Sequence, residues 1–354
     1  MGLPKISIAF KTAGITAVKR GERGIVALVL RDDAQTGVFT MSEIDEIPAG
    51  ISDYNREQIQ LAMMGTANPP KRVIAYFISM SSENYNEAMN YLETVKWDYI
   101  AIPEITSQDT LTVATWIKQL RNSRNKKVKA VLPDCASDNE GIVNFATDSI
   151  RTADKTYTAG QYCGRIAGIL AGMPLTISAT YQVLPEVTDV PHLKDTELNE
   201  AIDAGKLILY HDGEKVKIAR AVNSFVSATQ DKGEDFKKIK IMDILDLINQ
   251  DITKTAEDYY IGKVANSYDN KCLLISAIQA YFEALELDNL LDPGKNQVFI
   301  DIPVQSNFLK GTGVDVSSMN EQQIKEANTK DKVFLAANIK PLDAVEDITL
   351  NINL

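Results

Sequence analysis

The side chains suited to acid–base, nucleophilic or metal chemistry are few and scattered. The chain holds two histidines, His192 and His211, and three cysteines, Cys135, Cys163 and Cys272. A catalytic histidine needs a nucleophile or a substrate proton within reach and an orienting partner, and a metal centre needs three or four converging ligands. His192 follows Pro191, and His211 opens the turn-like His211-Asp212-Gly213-Glu214, so each reads as structural or solvent-facing. The cysteines are odd in number and far apart, which fits small buried hydrophobes in a reducing compartment rather than disulfides. No HExxH, CxxC or EF-hand loop occurs, and no GxSxG elbow. No GxxxxGK[ST] loop occurs either, since Gly262-Lys263 lacks both the upstream glycine and the hydroxyl. No GxGxxG follows a strand pattern. The expectation is therefore no catalytic residue, no cofactor and no metal. Two carboxylates keep an alternative open. Asp33 and Asp134 follow apolar runs, where an α/β fold gathers the carboxyl ends of its strands. That alternative is an α/β small-molecule-binding protein or enzyme with its site at those ends.

The elements that would position such residues follow from periodicity. Ile25-Val26-Ala27-Leu28-Val29-Leu30 is a near-continuous apolar run, as in a strand buried on both faces. Ser52-Asp53-Tyr54-Asn55 opens a helix whose core positions are Ile59, Ala62 and Met63 and which ends at Gly65. Strand patterns at Val73–Ile78, Asp98–Ile102 and Val128–Leu132 alternate with helix patterns through Ala88, Tyr91 and Leu92 and through Val113, Trp116, Ile117 and Leu120. This order predicts an α/β fold with a mainly parallel sheet, right-handed crossovers and flanking helices. Residues 157–172 predict a helix with glycine at every fourth position, Gly160, Gly164, Gly168 and Gly172. Each glycine costs about 1 kcal/mol relative to alanine in a helix, so four on one face predict close packing against a neighbouring backbone. Residues 206–222 read as a hairpin around Asp212-Gly213. The polar stretch Gln230–Asp235 marks a domain boundary. Beyond it lie two long helix patterns, one through Ile241, Ile244, Leu245 and Ile248 and one through Leu274, Ile278, Tyr281 and Leu285. Strands at Val298–Ile302 and Lys332–Ala337 flank a polar helix near Asn320–Ala327, giving a smaller α+β domain.

Composition narrows the function. Apolar residues make up 45% and charged residues 24%, as in an ordinary globular protein, and 354 residues suggest two or three domains. The net charge of −11 argues against nucleic acid as a partner, because phosphate binding needs a basic footprint. The one basic run, Arg121 to Lys129, reads as the solvated end of a helix. No apolar run reaches membrane-spanning length, so no membrane insertion is expected. Met1-Gly2-Leu3-Pro4-Lys5 leads into a strand pattern and not an apolar leader, so no signal peptide is expected.

The two ends of the chain carry the strongest pattern. Ile348, Leu350, Ile352 and Leu354 alternate with polar residues to the last position, and Ile6, Ile8 and Phe10 alternate near the first. A strand at a chain end must pair with something. The plainer reading pairs each within its own domain; the sharper one donates each to a neighbouring subunit, as in strand addition.

Taken together, these stretches resemble the sheath proteins of contractile phage tails and of phage-tail-like bacteriocins (tailocins), in the short form found in Gram-positive prophages. The resemblance is carried by Met1–Pro4 with Ile6, Ile8 and Phe10, by Arg20–Leu28, by Tyr54-Asn55, by Pro69–Val73, by Ile218–Ser224 and, most closely, by Asn338–Asp347. It spans essentially the whole chain, and the order of the stretches carries more weight than any one of them. The large inserted outer domains of bigger sheaths are missing. The resemblance implies a structural subunit and no enzyme. It implies an N-terminal arm at 1–20, an α/β outer region at 21–233, an α+β inner, tube-proximal domain at 234–337 and a C-terminal arm at 338–354. Ile6, Ile8, Phe10, Ile348, Leu350, Ile352 and Leu354 would make inter-subunit strand contacts, with Pro341 as the arm hinge. The implied partners are further copies in stacked six-fold rings forming a helical sheath, a tail tube protein, and baseplate and tail terminator proteins. The sheath would assemble in host cytoplasm and end in a virion tail or a released phage-tail-like particle. It would contract to drive the tube through a cell envelope. The helix at 269–287 would face the tube through Lys271, Gln279, Glu283 and Glu286.

Overall fold

The computed structural model describes residues 17–353, which divide into two compact units. The larger holds Gly21–Gln250 and Pro341–Leu354; the smaller holds Asp251–Lys340 with the residues up to Arg20. The division at 250/251 falls inside a helix, whereas the polar stretch 230–235 forms a loop entering a short 3-10 turn at Glu234–Lys237.

The larger unit is built on β1 (Ile25–Arg31), β2 (Gly37–Met41), α1 (Asp53–Met64), β3 (Arg72–Ile78), α2 (Asn86–Thr94), β4 (Tyr99–Ala101), α3 (Ser107–Ser123), β5 (Lys129–Pro133) and β6 (Ile142–Phe145). Beyond these come β7 (Ile150–Thr152), β8 (Thr156–Tyr157), α4 (Ala159–Gly172), β9 (Val187–Asp189), α5 (Asp195–Asp203) and β10 (Lys206–Leu207). Among the described residues the main sheet has seven strands in the order β10-β6-β5-β4-β1-β3-β2. All its pairings are parallel except that of β2 with β3. The antiparallel β2 was not read in the sequence: Val38 and Phe39 sit on an edge, half exposed, in a segment whose apolar signal is short.

The near-continuous apolar run of β1 resolves into two faces with period 2. Val26, Leu28 and Leu30 join one core with Ile59 and Ala62 of α1 and Ile166 and Ala167 of α4. Ile25, Ala27 and Val29 join a second core with Ala88 and Leu92 of α2 and Val113, Ile117 and Leu120 of α3. Ser52 caps α1 by accepting the Asn55 N–H, and Gly65 turns the chain at its end with φ of 57°. Thr158 and Gln161 close a capping box at α4.

The glycine stripe of α4 lies against backbone. A Cβ on Gly168 would fall 2.0 Å from the Ala62 carbonyl oxygen, one on Gly172 2.1 Å from that of Asn68, and one on Gly160 3.1 Å from that of Pro103. Gly164 is looser, 3.4 Å from Leu28 Cδ2 and 3.8 Å from the Gln58 carbonyl oxygen. The charged member of α4, Arg165, is 1% exposed and pairs through Nε with Glu186 Oε1 at 2.7 Å, where Tyr162 also donates. Burial opposes the charge of Glu186, yet Arg165 and Tyr162 hold its carboxyl below the ordinary range.

The hairpin read at 206–222 is shorter than its pattern. β11 (Leu209–His211) and β12 (Val216–Ile218) pair antiparallel around Asp212-Gly213, with Gly213 at φ of 101°. Lys206-Leu207 peel away to pair with β6. They are claimed by the main sheet, whose edge they complete.

The basic run Arg121–Lys129 corrects the sequence reading in part: Arg124 at the helix end is exposed, but Arg121 and Lys129 are buried. α6 (Ile239–Tyr259) lays its first half on the sheet and presents Asp243 and Asp246, one turn apart. Arg121 donates two bonds of 2.9 Å to the two oxygens of Asp246, and buried Lys129 pairs with the same carboxylate and with Asp243 Oδ1 at 3.0 Å. Asp243 also accepts from the Tyr99 hydroxyl at 2.7 Å and from Arg23 at 2.8 Å. Lys126 donates to the carbonyls of Leu92, Glu93 and Val95, closing the end of α2. Burial pushes its ammonium down to about 8. Sequence spacing could not reveal this, because the carboxylate shared by Arg121 and Lys129 lies more than a hundred residues away.

The smaller unit contains the second half of α6, α7 (Tyr268–Leu287), β13 (Gln297–Ile300), α8 (Ile302–Gly311), α9 (Glu321–Glu326) and β14 (Leu335–Asn338). β13 and β14 form an antiparallel two-stranded sheet, Val298 opposite Ala337 and Phe299 opposite Ala336. Tyr281 of α7 donates to Asp251 of α6 at 2.8 Å. The helix α8 was missed; Asp301 caps it and Pro303 sits in its first turn, where a proline costs no hydrogen bond.

Candidate assembly interface

The residues picked for catalysis do not converge. Asp33 is exposed and accepts from the Ser79 hydroxyl and the Met80 N–H, tying the loop after β3. Its neighbour Asp32 is buried and spends both oxygens on Ala34, Ser52 and Asn55. Asp134 is exposed with φ of 46°. Where β4 ends, the first turn of α4 comes close to the Pro103 carbonyl at Gly160, where an added Cβ would stand 3.1 Å from the oxygen. The two histidines do meet, with ring centroids 5.6 Å apart, which sequence distance did not suggest. Exposed His192 bonds Asp189 at 3.0 Å, and His211 accepts the Gly213 N–H. Among the described residues no three His, Cys, Asp or Glu side chains are placed to hold a metal ion. No helix of the described residues is long and apolar enough to cross a membrane.

The C-terminal segment behaves differently from the buried apolar strands of the main sheet. From Pro341 to Asp347 it is fastened to the larger unit. Lys238 pairs with Asp343, Lys240 donates to the Leu342 carbonyl, and Arg220 bridges Glu346 and Asp347. After Asp347 the fastening stops. Ile348 is 83% exposed, Leu350 77% and Ile352 74%, in a stretch with no assigned helix or strand. Three large apolar side chains exposed at alternate positions form an apolar patch that folding has not covered. The matching N-terminal residues Ile6, Ile8 and Phe10, and Leu354, lie outside the described residues.

The β13–β14 sheet is small. It has two strands among the described residues and leaves Phe299 40% exposed. Isolated two-stranded sheets are marginal, and their free edges offer unpaired N–H and C=O groups.

This architecture has known counterparts. A family model of the phage tail sheath protein central domain matches residues 79–224, and one of the phage tail sheath C-terminal domain matches residues 231–354. The chain belongs to the phage tail sheath family. The tail sheath protein of Clostridium phage phiCD119 is 36% identical over 357 residues, covering 100% of this chain and 99% of that protein. In fold the chain is similar to the sheath of the anti-feeding prophage in its contracted state, with a TM-score of 0.73 at 12% identity, covering 100% of this chain and 99% of that one. It is also similar to the sheath tail protein of Desulfitobacterium hafniense, with a TM-score of 0.71 at 19% identity over 84% of this chain and 94% of that one. This sheath protein is thus a structural component of a phage-type tail, and the expected α/β fold with its mainly parallel sheet is the one observed.

The four positions read as tube-facing on α7 divide. Lys271 is 3% exposed and donates to Thr329 at 3.1 Å, and burial lowers its ammonium from the ordinary value, so it is a structural residue of the sheath subunit and not part of a free face. Gln279 bonds the Asn296 carbonyl and the Val298 N–H, and Glu286 accepts from Asn296. Glu283 is the one fully exposed member. Helical spacing cannot separate a polar face turned to solvent from one turned to a loop.

Proposed function

We propose that this sheath subunit polymerises into stacked six-fold rings around a tail tube by exchanging its terminal strands, and that the helical sheath contracts to drive the tube through a cell envelope without consuming nucleotide. One observation carries this reading: Ile348, Leu350 and Ile352 alternate with polar residues in a segment that the subunit leaves exposed instead of folding into its own sheet. The receiving sheet is β13–β14 of a neighbour, with the N-terminal arm adding from another copy. Burying three such side chains contributes about 1.5–3 kcal/mol each. Each ladder bond adds about 0.5–1.5 kcal/mol. Ordering the segment costs about 1–2 kcal/mol per residue, which nearly cancels both. A lone arm therefore stays loose, while two arms per subunit acting together in a lattice become cooperative. Glu283 is the residue of α7 that would meet the tube protein. Assembly takes place in host cytoplasm, and baseplate and terminator proteins close the two ends.

The test is removal of Ile348–Leu354. Purified truncated subunit should keep the wild-type melting temperature and circular dichroism but form no sedimentable tubes or rings in negative-stain images. Loss of the folded subunit would place the strand in its own domain and end the exchange reading.

A further inference from the structure

The chain leaves the smaller unit at Lys340 and is assigned from Pro341 onward to the larger one. Sequence alone put the arm hinge at Pro341. The fastened stretch after it moves the departure point seven residues on. The centre of the fastening is Glu346, whose side chain is 10% exposed although its neighbours Val345 and Ile348 are 82% and 83% exposed. Its Oε1 accepts from the hydroxyls of Ser178, at 3.0 Å, and Thr180, and its Oε2 accepts from Arg220 Nε at 3.1 Å. The Arg220 guanidinium also pairs with Asp347 at 2.5 Å, and that bond, ahead of its contact with Glu346, raises the already high basicity of the group. The platform is rigid. Thr180 Oγ1 accepts the Ala221 N–H at 3.0 Å, and residues 181–184 are laced along β12 by Tyr181 N–H to Ile218, Ile218 N–H to Gln182 and Leu184 N–H to Val216. A largely buried carboxylate meeting three convergent donors on a hydrogen-bonded platform defines a position, whereas a stretch resting on solvated charges alone would not.

We propose that Glu346 is the positioning residue of the C-terminal arm: seated on Ser178, Thr180 and Arg220, it fixes the point and direction from which the exchanged strand leaves the body, so that the free arm begins at Ile348. This rests on the strand-exchange reading above. The pivot is then the 347/348 junction, and Pro341 only turns the chain onto the larger unit.

The experiment uses the full-length subunit carrying Cys272→Ser, with a spin label at Val345→Cys or at Ile352→Cys. In the free subunit the label at 345 should be restricted and the label at 352 mobile. Glu346→Ala should release 345 to the mobility of 352 and raise the protein concentration needed for tube assembly by about tenfold, since re-ordering even one or two freed residues has that effect. Glu346→Gln keeps acceptors for the hydroxyls and should show a partial release that high salt reproduces in the wild type, because the Arg220 pairing is screened. Equal mobility at 345 and 352 in the wild type would overturn the proposal, and so would wild-type assembly by Glu346→Ala. Truncation after Asp347 separates the two ideas. If it abolishes assembly while Glu346→Ala assembles normally, strand exchange stands and the positioning role falls. If the truncated subunit assembles normally, both fall.

Discussion

Gly168→Ala tests the packing of α4 because two nearly identical substitutions on one helix should move stability in opposite directions. Alanine in place of glycine gains about 1 kcal/mol of helix propensity at either Gly164 or Gly168. At Gly164 the new Cβ would stand 3.4 Å from Leu28 Cδ2 and 3.8 Å from the Gln58 carbonyl oxygen, which is ordinary contact, so the gain is kept. At Gly168 it would stand 2.0 Å from the Ala62 carbonyl oxygen and 2.8 Å from the Ala62 carbonyl carbon. Those atoms are backbone of α1 and cannot rotate away. The whole helix must retreat by about 1 Å, loosening Ala62 and Ile59 from a core in which both are fully buried. Overpacking of this kind costs about 1–3 kcal/mol or more, which exceeds the propensity gain. In thermal melts followed by circular dichroism, Gly164→Ala should raise the midpoint by about 2–4 °C and Gly168→Ala should lower it by a similar amount or more. Gly172→Ala should fall with Gly168→Ala, since its Cβ would meet the Asn68 carbonyl at 2.1 Å. A Gly168→Ala subunit as stable as Gly164→Ala would refute the claim that α1 and α4 touch backbone to backbone.

Other expectations are open to direct measurement. Asp246→Asn leaves Arg121 and Lys129 buried without their shared carboxylate, and urea unfolding should register a loss of about 3–5 kcal/mol. Burial opposes the charge on Asp246, but Lys129 and Arg121 outweigh it and hold its carboxyl below the ordinary range. The unfolded chain therefore binds its proton first, so the contribution is complete above about pH 4 and is lost as pH falls below that toward the folded value. A stability profile of Asp246→Asn parallel to wild type down the acid limb would contradict this. Burial pushes the thiols of Cys135 and Cys163 up, so maleimide labelling of the native subunit read by mass spectrometry should modify half-exposed Cys272 first and leave Cys163 untouched until unfolding.

The parts of this sheath protein legible in its sequence are those specified locally. The alternation of β1, α1, β3, α2, β4, α3 and β5 is written in apolar runs and capping residues that act within a few positions of themselves, and the stripe of α4 is written in glycine spacing. What escaped is non-local. Lys206-Leu207 carry the pattern of a hairpin arm, yet β6 takes them, because a partner sixty residues away offers a longer sheet. The run Arg121–Lys129 looks like solvated charge until α6 supplies Asp243 and Asp246. Lys271 sits on a polar helix face that Thr329 covers.

The same distinction governs the site. An enzyme's site is a constellation that a fold brings together, and spacing announces it only where its residues lie close in the chain. On the strand-exchange reading proposed above, a polymerising subunit carries its site as a deficit: a segment with no sheet and a two-stranded sheet with free edges. On that reading, Ile348, Leu350 and Ile352 show in the sequence as alternation with polar residues and in the structure as exposure that folding did not remove. The counterpart of this segment could not be read the same way. The seat of Glu346 is assembled from Ser178, Thr180 and Arg220, more than a hundred residues before it, none with any periodic signal. Yet Ile218–Ser224 and Asn338–Asp347, two of the stretches that carried the family resemblance, are joined by the Arg220–Glu346 pair. Their shared likeness to sheath proteins has a physical reading if the root of the arm must be held still for the strand beyond it to reach the same place on every neighbour.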